Sequence, residues 1–174
     1  MTQGTPFYAV GALADYTLAR DKVVWREQAS EFTAAVVASP TGKPVIPDHK
    51  LMLCAVDSPQ EAFYLCAALN SSPSVLAVHC FSIGTQMSTH ILESIAVPCF
   101  EPDNPVHQRL ADLSQRAHEL AAELSTDPEP DKRTELEQAL ADVEAQVDEA
   151  AAALWGITPQ ELAEVQRNLA ELRG

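Results

Sequence analysis

The second half of the chain carries two matched apolar seams, which constrain the fold more than any other feature. Val106, Leu110, Leu113, Ala117, Leu120 and Leu124 follow one another at spacings of 4, 3, 4, 3 and 4. Leu136, Leu140, Val143, Val147, Ala150 and Leu154 repeat the same rhythm. Apolar side chains at this spacing share one face of a helix, and a face sustained over several turns needs a partner to cover it. Residues 125–131, with Pro128 and Pro130, interrupt the pattern between the seams. Two seams and one short breaker predict an antiparallel helical hairpin. Asn104 and Pro105 offer a cap and a first position for its first helix, and Gly156 suits the end of its second. Thr158, Pro159 and Glu161 then open a short third helix, with Leu162, Val165, Leu169 and Leu172 on one face.

Residues 50–100 obey a different rhythm. Leu51, Met52, Leu53, Cys54, Ala55 and Val56 form an apolar run of strand length. Ser58, Pro59 and Glu61 supply a cap, a first-position proline and a capping-box acid for the helix that follows. That helix carries Ala62, Phe63, Leu65, Cys66, Ala68 and Leu69, and stops at Asn70, Ser71, Ser72 and Pro73. Val75, Leu76, Val78 and Phe81 read as a second helix, because Ser72 and Pro73 suit its start. Residues 83–89 read as a polar loop. Ile91, Leu92, Ile95 and Val97 then lead back into the sheet, through a short strand that ends at Val97, Pro98, Cys99 and Phe100.

Upstream, Asp21, Lys22, Val23, Val24, Trp25 and Arg26 have strand character, and residues 34–38 can form another strand. Ser39, Pro40, Thr41 and Gly42 read as a turn, and Val45 and Ile46, between Pro44 and Pro47, as an edge strand. Residues 1–19 scatter Phe7, Tyr8, Val10, Leu13, Tyr16 and Leu18 without a clean period. The expected class is therefore α+β. A small mixed-sheet globule over residues 1–103 precedes a helical module over 104–174, made of the antiparallel hairpin and a short third helix.

Charge divides along the same line. The net charge is −14, and of the 11 basic and 25 acidic residues only 5 and 8 fall within residues 1–100. The acidity belongs to the helical half, where it reads as solvated helix surface. Such a balance argues against indiscriminate polyanion binding but leaves room for a local basic face on the first half. No apolar run reaches the length of a membrane span and no signal-peptide pattern opens the chain, so a soluble cytoplasmic protein is expected. Cys54, Cys66, Cys80 and Cys99 form no Cys-x-x-Cys pair and sit in apolar surroundings, so buried reduced thiols are expected.

Patterns for catalysis are missing. The six glycines form no phosphate-binding loop, and no zinc-protease or nucleophile-elbow motif occurs. His118 and Glu119 lack a second histidine at ligand spacing. Glu31 with Asp48, His49 and Lys50 gives carboxylates and a lysine of the kind a metal-dependent nuclease uses, but nothing fixes their mutual geometry, and a surface turn is the simpler reading. No metal or cofactor is expected. Binding remains. Arg20, Lys22, Arg26, Lys43 and Lys50 are the candidates for phosphate contact; Thr85, Gln86 and Ser88 are the candidates for base edges.

Three stretches carry a family resemblance. They are residues 16–26 (Tyr-Thr-Leu-Ala-Arg-Asp-Lys-Val-Val-Trp-Arg), residues 61–72 (Glu-Ala-Phe-Tyr-Leu-Cys-Ala-Ala-Leu-Asn-Ser-Ser), and residues 95–102 with His107 and Leu110. Through them residues 7–124 resemble the C-terminal target-recognition region of bacterial adenine-specific DNA methyltransferases of restriction-modification and phage-defence systems. This is the TaqI-like specificity domain, similar also to the recognition domains of type I specificity subunits. The tail from Asp148, with Leu154, Trp155, Gly156, Ile157, Thr158, Glu161 and Leu162, looks like the ending of such enzymes. The family's glycine-rich S-adenosylmethionine loop and its Asn-Pro-Pro-Tyr type motif are absent, and Asn70, Ser71, Ser72 and Pro73 lack the Pro-Pro-aromatic portion. Base flipping and methyl transfer require that pocket. The resemblance thus implies a non-catalytic DNA-recognition module whose partners are double-stranded DNA and a catalytic methyltransferase or restriction subunit. The alternative is a remnant or protein-interaction module that does not bind DNA alone.

Overall fold

The computed structural model describes residues 14–39, 42–81, 87, 89, 93 and 95–173. The chain is α+β. A 3₁₀ turn at Asp15–Leu18 leads into three strands, β1 (Asp21–Arg26), β2 (Ala34–Ala38) and β3 (Leu51–Val56). Five helices follow among the described residues: α1 (Pro59–Asn70), α2 (Ser72–Phe81), α3 (Pro105–Leu124), α4 (Pro130–Ala152) and α5 (Pro159–Arg173). The strand order is β2-β1-β3, and both pairings are antiparallel, so the sheet is not mixed. β1 takes the centre, where both of its edges are satisfied and its Val-Val-Trp run is buried.

α1 is the middle layer. Its Ala62, Cys66 and Leu69 pack on the sheet through Val23, Trp25 and Ala34. Its Tyr64 and Ala67 turn the other way, into a second cluster with Leu110, Leu113, Leu120, Leu136, Val143 and Val147 of the hairpin. A helix apolar all round belongs between two layers, which accounts for the lack of a clean polar face in its sequence. The paired seams form the hairpin as their spacing requires. α5 returns to the sheet side, where Leu169 and Val165 join Val75 and Val78 of α2. The two segments divided at residue 103 by sequence pattern therefore share both cores, although Leu172 of the expected α5 face is 60% exposed.

Local signals hold at most helix ends. Ser58 Oγ accepts from Glu61 N–H at 3.1 Å, and Asn104 Oδ1 accepts from Val106 N–H at 3.0 Å. Gly156 has a φ of 66°, and the Ile157 N–H bonds the Ala152 carbonyl at 2.9 Å, closing α4 in the left-handed manner glycine permits.

Two expected strands do not form. Val45 and Ile46 are irregular and 48% and 47% exposed; the prolines on either side cannot donate to a ladder, and the Val45 N–H bonds Ser39 Oγ instead. Residues 96–100 are irregular too. Ala96 has a φ of 51°, outside strand geometry, and the Pro98 carbonyl accepts from the Tyr64 hydroxyl at 2.9 Å. The expectation of four buried cysteines is also corrected. Cys66 is buried and Cys54 half-buried, while Cys80 and Cys99, which leave their apolar neighbours to do the packing, are exposed. No helix among the described residues is long and apolar enough to cross a membrane.

Candidate functional site

The basic residues of the sheet half gather at the two ends of β1. Arg26 closes β1 opposite Leu51, and the Glu27 N–H bonds the Lys50 carbonyl at 2.9 Å, so Arg26 and Lys50 share one end of the β1–β3 ladder. Arg20 precedes the other end. There Asp21 pairs with Ala38, and the Gly42 N–H to Ser39 carbonyl turn leads from that end of β2 to Lys43. Arg20, Arg26, Lys43 and Lys50 are all exposed. The two ends of a six-residue strand lie about 20 Å apart.

Lys22 does not belong with them. It is fully buried and donates its ammonium to the Ala19 carbonyl, so the expected phosphate contact is not open to it. Burial holds its pKa below the ordinary lysine range, against the opposing field of Asp21. Thr85, Gln86 and Ser88 lie outside the described residues. Met87, between them in sequence, is described. It is buried, its N–H bonds the Glu27 carbonyl at 2.8 Å, and its carbonyl accepts from Trp25 Nε1 at 2.9 Å. Met87 itself is thus held at the end of β1 that carries Arg26 and Lys50.

Cation pairing differs sharply between the halves. In the helical half Arg109 bonds Gln146, and Arg116, Lys132, Arg133 and Arg167 pair with Glu119, Glu135, Asp127 and Glu164. None of the side chains of Arg20, Arg26, Lys43 and Lys50 has a hydrogen bond or ion pair among the described residues. Glutamates and aspartates exceed basic residues by 14, so carboxylates are plentiful. Most of that excess lies in the helical half, and among the described residues these four cations of the sheet half stand unpaired.

Two concavities flank this region. One, of about 490 Å³, lies beside the β1–β2 connection and is lined by Val24, Trp25, Arg26 and Leu51 together with Ala29 and Glu31. Its connection residues carry no sequence signal, since Ser30, Glu31 and Thr33 follow no period or motif, and Glu31 had suggested only metal binding. The other, a cleft of about 470 Å³, lies where α1, α3, α4 and α5 meet. Its polar groups are engaged with one another. Asp148 accepts from Ser72 N–H at 2.7 Å, Ser72 Oγ at 2.5 Å and Gln166 Nε2 at 2.8 Å. Asn70 and His118 bond the β2 backbone. The cleft reads as a structural junction.

Reactive chemistry is not assembled. Burial pushes the Cys66 thiol up to about 12, far from thiolate reactivity at neutral pH. Asp48 Oδ1 accepts from the Lys50 N–H at 3.0 Å and lies 2.9 Å from His49 Nδ1, the arrangement of a surface turn. Among the described residues no three His, Cys, Asp or Glu side chains gather as a metal site. No protein family, curated protein or solved structure matches the chain.

Proposed function

We propose that this chain is a DNA target-recognition module, working beside a catalytic adenine-specific methyltransferase in a restriction-modification or phage-defence system. The observation that carries this reading is the set of four exposed cations, Arg20, Arg26, Lys43 and Lys50, unpaired among the described residues of an acidic chain. Paired surface cations are spent on local carboxylates, whereas unpaired ones can meet phosphates. The three stretches that carry the family resemblance also support it. They meet in adjoining cores, through Trp25, Leu69 and Ile95 on the sheet side and Tyr64, Phe100 and His107 on the hairpin side.

The −14 charge favours a second reading, a protein-interaction module that binds no DNA, because the isolated chain repels a polyanion at long range. Gel shifts on a duplex across a salt series, with and without a methyltransferase partner, separate the two. The recognition reading expects retardation that weakens with salt, and loss of about one unit of salt slope in Lys50→Ala. No retardation under either condition leaves the protein-interaction reading.

A further inference from the structure

We propose that His118 is a proton-operated latch between the helical hairpin and the sheet: protonation of its Nε2 releases the Val36 N–H and frees the outer edge of β2 from α3. This goes beyond the DNA-recognition reading and does not depend on it.

The latch rests on what each ring nitrogen meets. His118 is half-buried on α3, with its ring edge-on to Phe63. Its Nε2 lies 3.0 Å from the Val36 nitrogen. A backbone N–H only donates, so Nε2 offers a lone pair. Nδ1 lies 2.7 Å from the Ser114 carbonyl, which only accepts, so the single ring proton sits on Nδ1. A second proton then has no place but Nε2, where it sets one donor against another. The Val36 bond thus needs the neutral ring; it is made at high pH and lost as pH falls through the histidine's titration. Two residues back, Ala34 is held by the side-chain amide of Asn70, which does not titrate. The latch therefore opens one position of the edge and leaves its neighbour closed.

The titratable groups around the ring come from three helices. Glu144 and Asp148 of α4 line the same cleft as His118, and Asp148 is engaged by Ser72 and Gln166. Cys66 of α1 bonds the Ala34 carbonyl and, with its pKa pushed up to about 12 by burial, stays a neutral thiol. On α3 itself, Glu119 pairs with Arg116. β2 contributes none. The Val36 N–H bonds His118 and none of these.

The test is amide hydrogen exchange on the full chain from about pH 8 to about pH 5, corrected for the intrinsic pH dependence of exchange, with the His118 ring nitrogens followed by NMR over the same range. Val36 is expected to lose protection roughly tenfold or more, with the same midpoint as the ring, while Ala34 keeps its own. His118→Gln puts an amide oxygen, which accepts but does not titrate, in place of Nε2, and should keep Val36 protected throughout. Should the glutamine fall short of Val36 and leave it open at every pH, the agreement of the two wild-type midpoints decides. The ring proton found on Nε2 at high pH, Val36 protection unchanged across the ring titration, or Ala34 opening together with Val36 each overturns the latch. So does a fall that persists in His118→Gln, which would trace it to another histidine such as His107, whose Nδ1 accepts from the Glu101 N–H.

Discussion

Asn70 does at the outer edge of β2 what a fourth strand would do. Its Oδ1 accepts from the Ala34 N–H and its Nδ2 donates to the Ala34 carbonyl, each at 2.8 Å. Two residues further on, His118 Nε2 accepts from the Val36 N–H at 3.0 Å, while Nδ1 lies 2.7 Å from the Ser114 carbonyl. These partners define a neutral ring with its proton on Nδ1. An open strand edge invites pairing with other chains, and side chains from α1 and α3 close this one. Asn70→Ala should therefore cost about 1–2 kcal/mol in urea unfolding, because it orphans a donor and an acceptor at a partly open position. The Ala34 amide should also lose hydrogen-exchange protection; full protection in the variant would refute the closure. Nothing local in the sequence announces this role. Asn70 reads as a helix stop and His118 as half of an incomplete metal motif, because the pairing joins residues 36 and 82 positions apart. Lys22 was illegible for the same reason: alternation along β1 puts it beside Val24, and only the fold shows that this position is covered.

Tyr64 gives the fold a dependence on alkaline pH. Its hydroxyl donates to the Pro98 carbonyl and its ring lies 4.4 Å from that of His107. Burial, with smaller contributions from Cys99 and Glu101, pushes its pKa from 10.0 up to about 12. The fold thus prefers the neutral phenol. The corresponding stability is fully present below pH 10 and is lost as pH rises from 10 towards 12. Tyr64→Phe lacks the hydrogen bond but also the titration, so its stability deficit should shrink over that interval. A deficit that stays constant in urea unfolding across it would contradict this account.

At the scale of elements, short capping signals were legible and long-range caps were not. Thr158 and Glu161 form a reciprocal box, with Glu161 N–H to Thr158 Oγ1 at 3.3 Å and Thr158 N–H to Glu161 Oε2 at 2.8 Å. Ser58 and Glu61 form a looser one, since Glu61 Oε2 reaches the Asp57 N–H rather than that of Ser58. Both were predictable from a four-residue pattern. α2 starts differently. Its first N–H groups lie at Ser72, and the acceptor comes from Asp148 on α4, 76 positions away, with Gln166 of α5 on the same carboxylate. One buried side chain thereby joins three helices, and its negative charge sits where the α2 dipole favours it. Removing it strands three donors at once. Asp148→Ala should cost about 3 kcal/mol, several times the effect of Ser58→Ala, which should lie near 1 kcal/mol. Equal losses in thermal unfolding would mean that the junction contributes no more than an ordinary cap. The two strands that failed show the opposite error. Val45, Ile46 and Val97 have strand-forming side chains, but the prolines beside them leave too few donors for a ladder, so backbone chemistry prevailed over side-chain preference.

For the whole molecule, the change of pattern near residue 103 is a boundary in sequence and not in packing. The hairpin seams were legible because a 4-3-4 rhythm is written within one helix. What covers the far side of α1 was not, because both of its faces are apolar and neither names its partner. The structure gives the hairpin that place: Tyr64, Ala67 and half-buried Phe63 pack with Leu110, Leu113 and Leu120. It also returns Leu169 of α5 to the sheet-side cluster. Residues 1–103 expressed alone would expose two aromatic rings and lose the α5 contribution to the sheet-side core, while keeping the full entropy cost of ordering three strands and two helices. Each fully exposed large side chain forfeits about 1.5–3 kcal/mol, and two or three such losses consume much of the ~5–15 kcal/mol typical of a domain. The fragment should therefore lack a cooperative thermal transition and show poorly dispersed amide resonances, whereas the 174-residue chain is expected to melt as one unit. Adding residues 104–174 in trans should restore dispersion, because the missing surface is a complementary layer and not a linker. A fragment 1–103 that melts cooperatively alone would show that the sheet and α1 form a self-sufficient core, and that the helical half is an attachment to it.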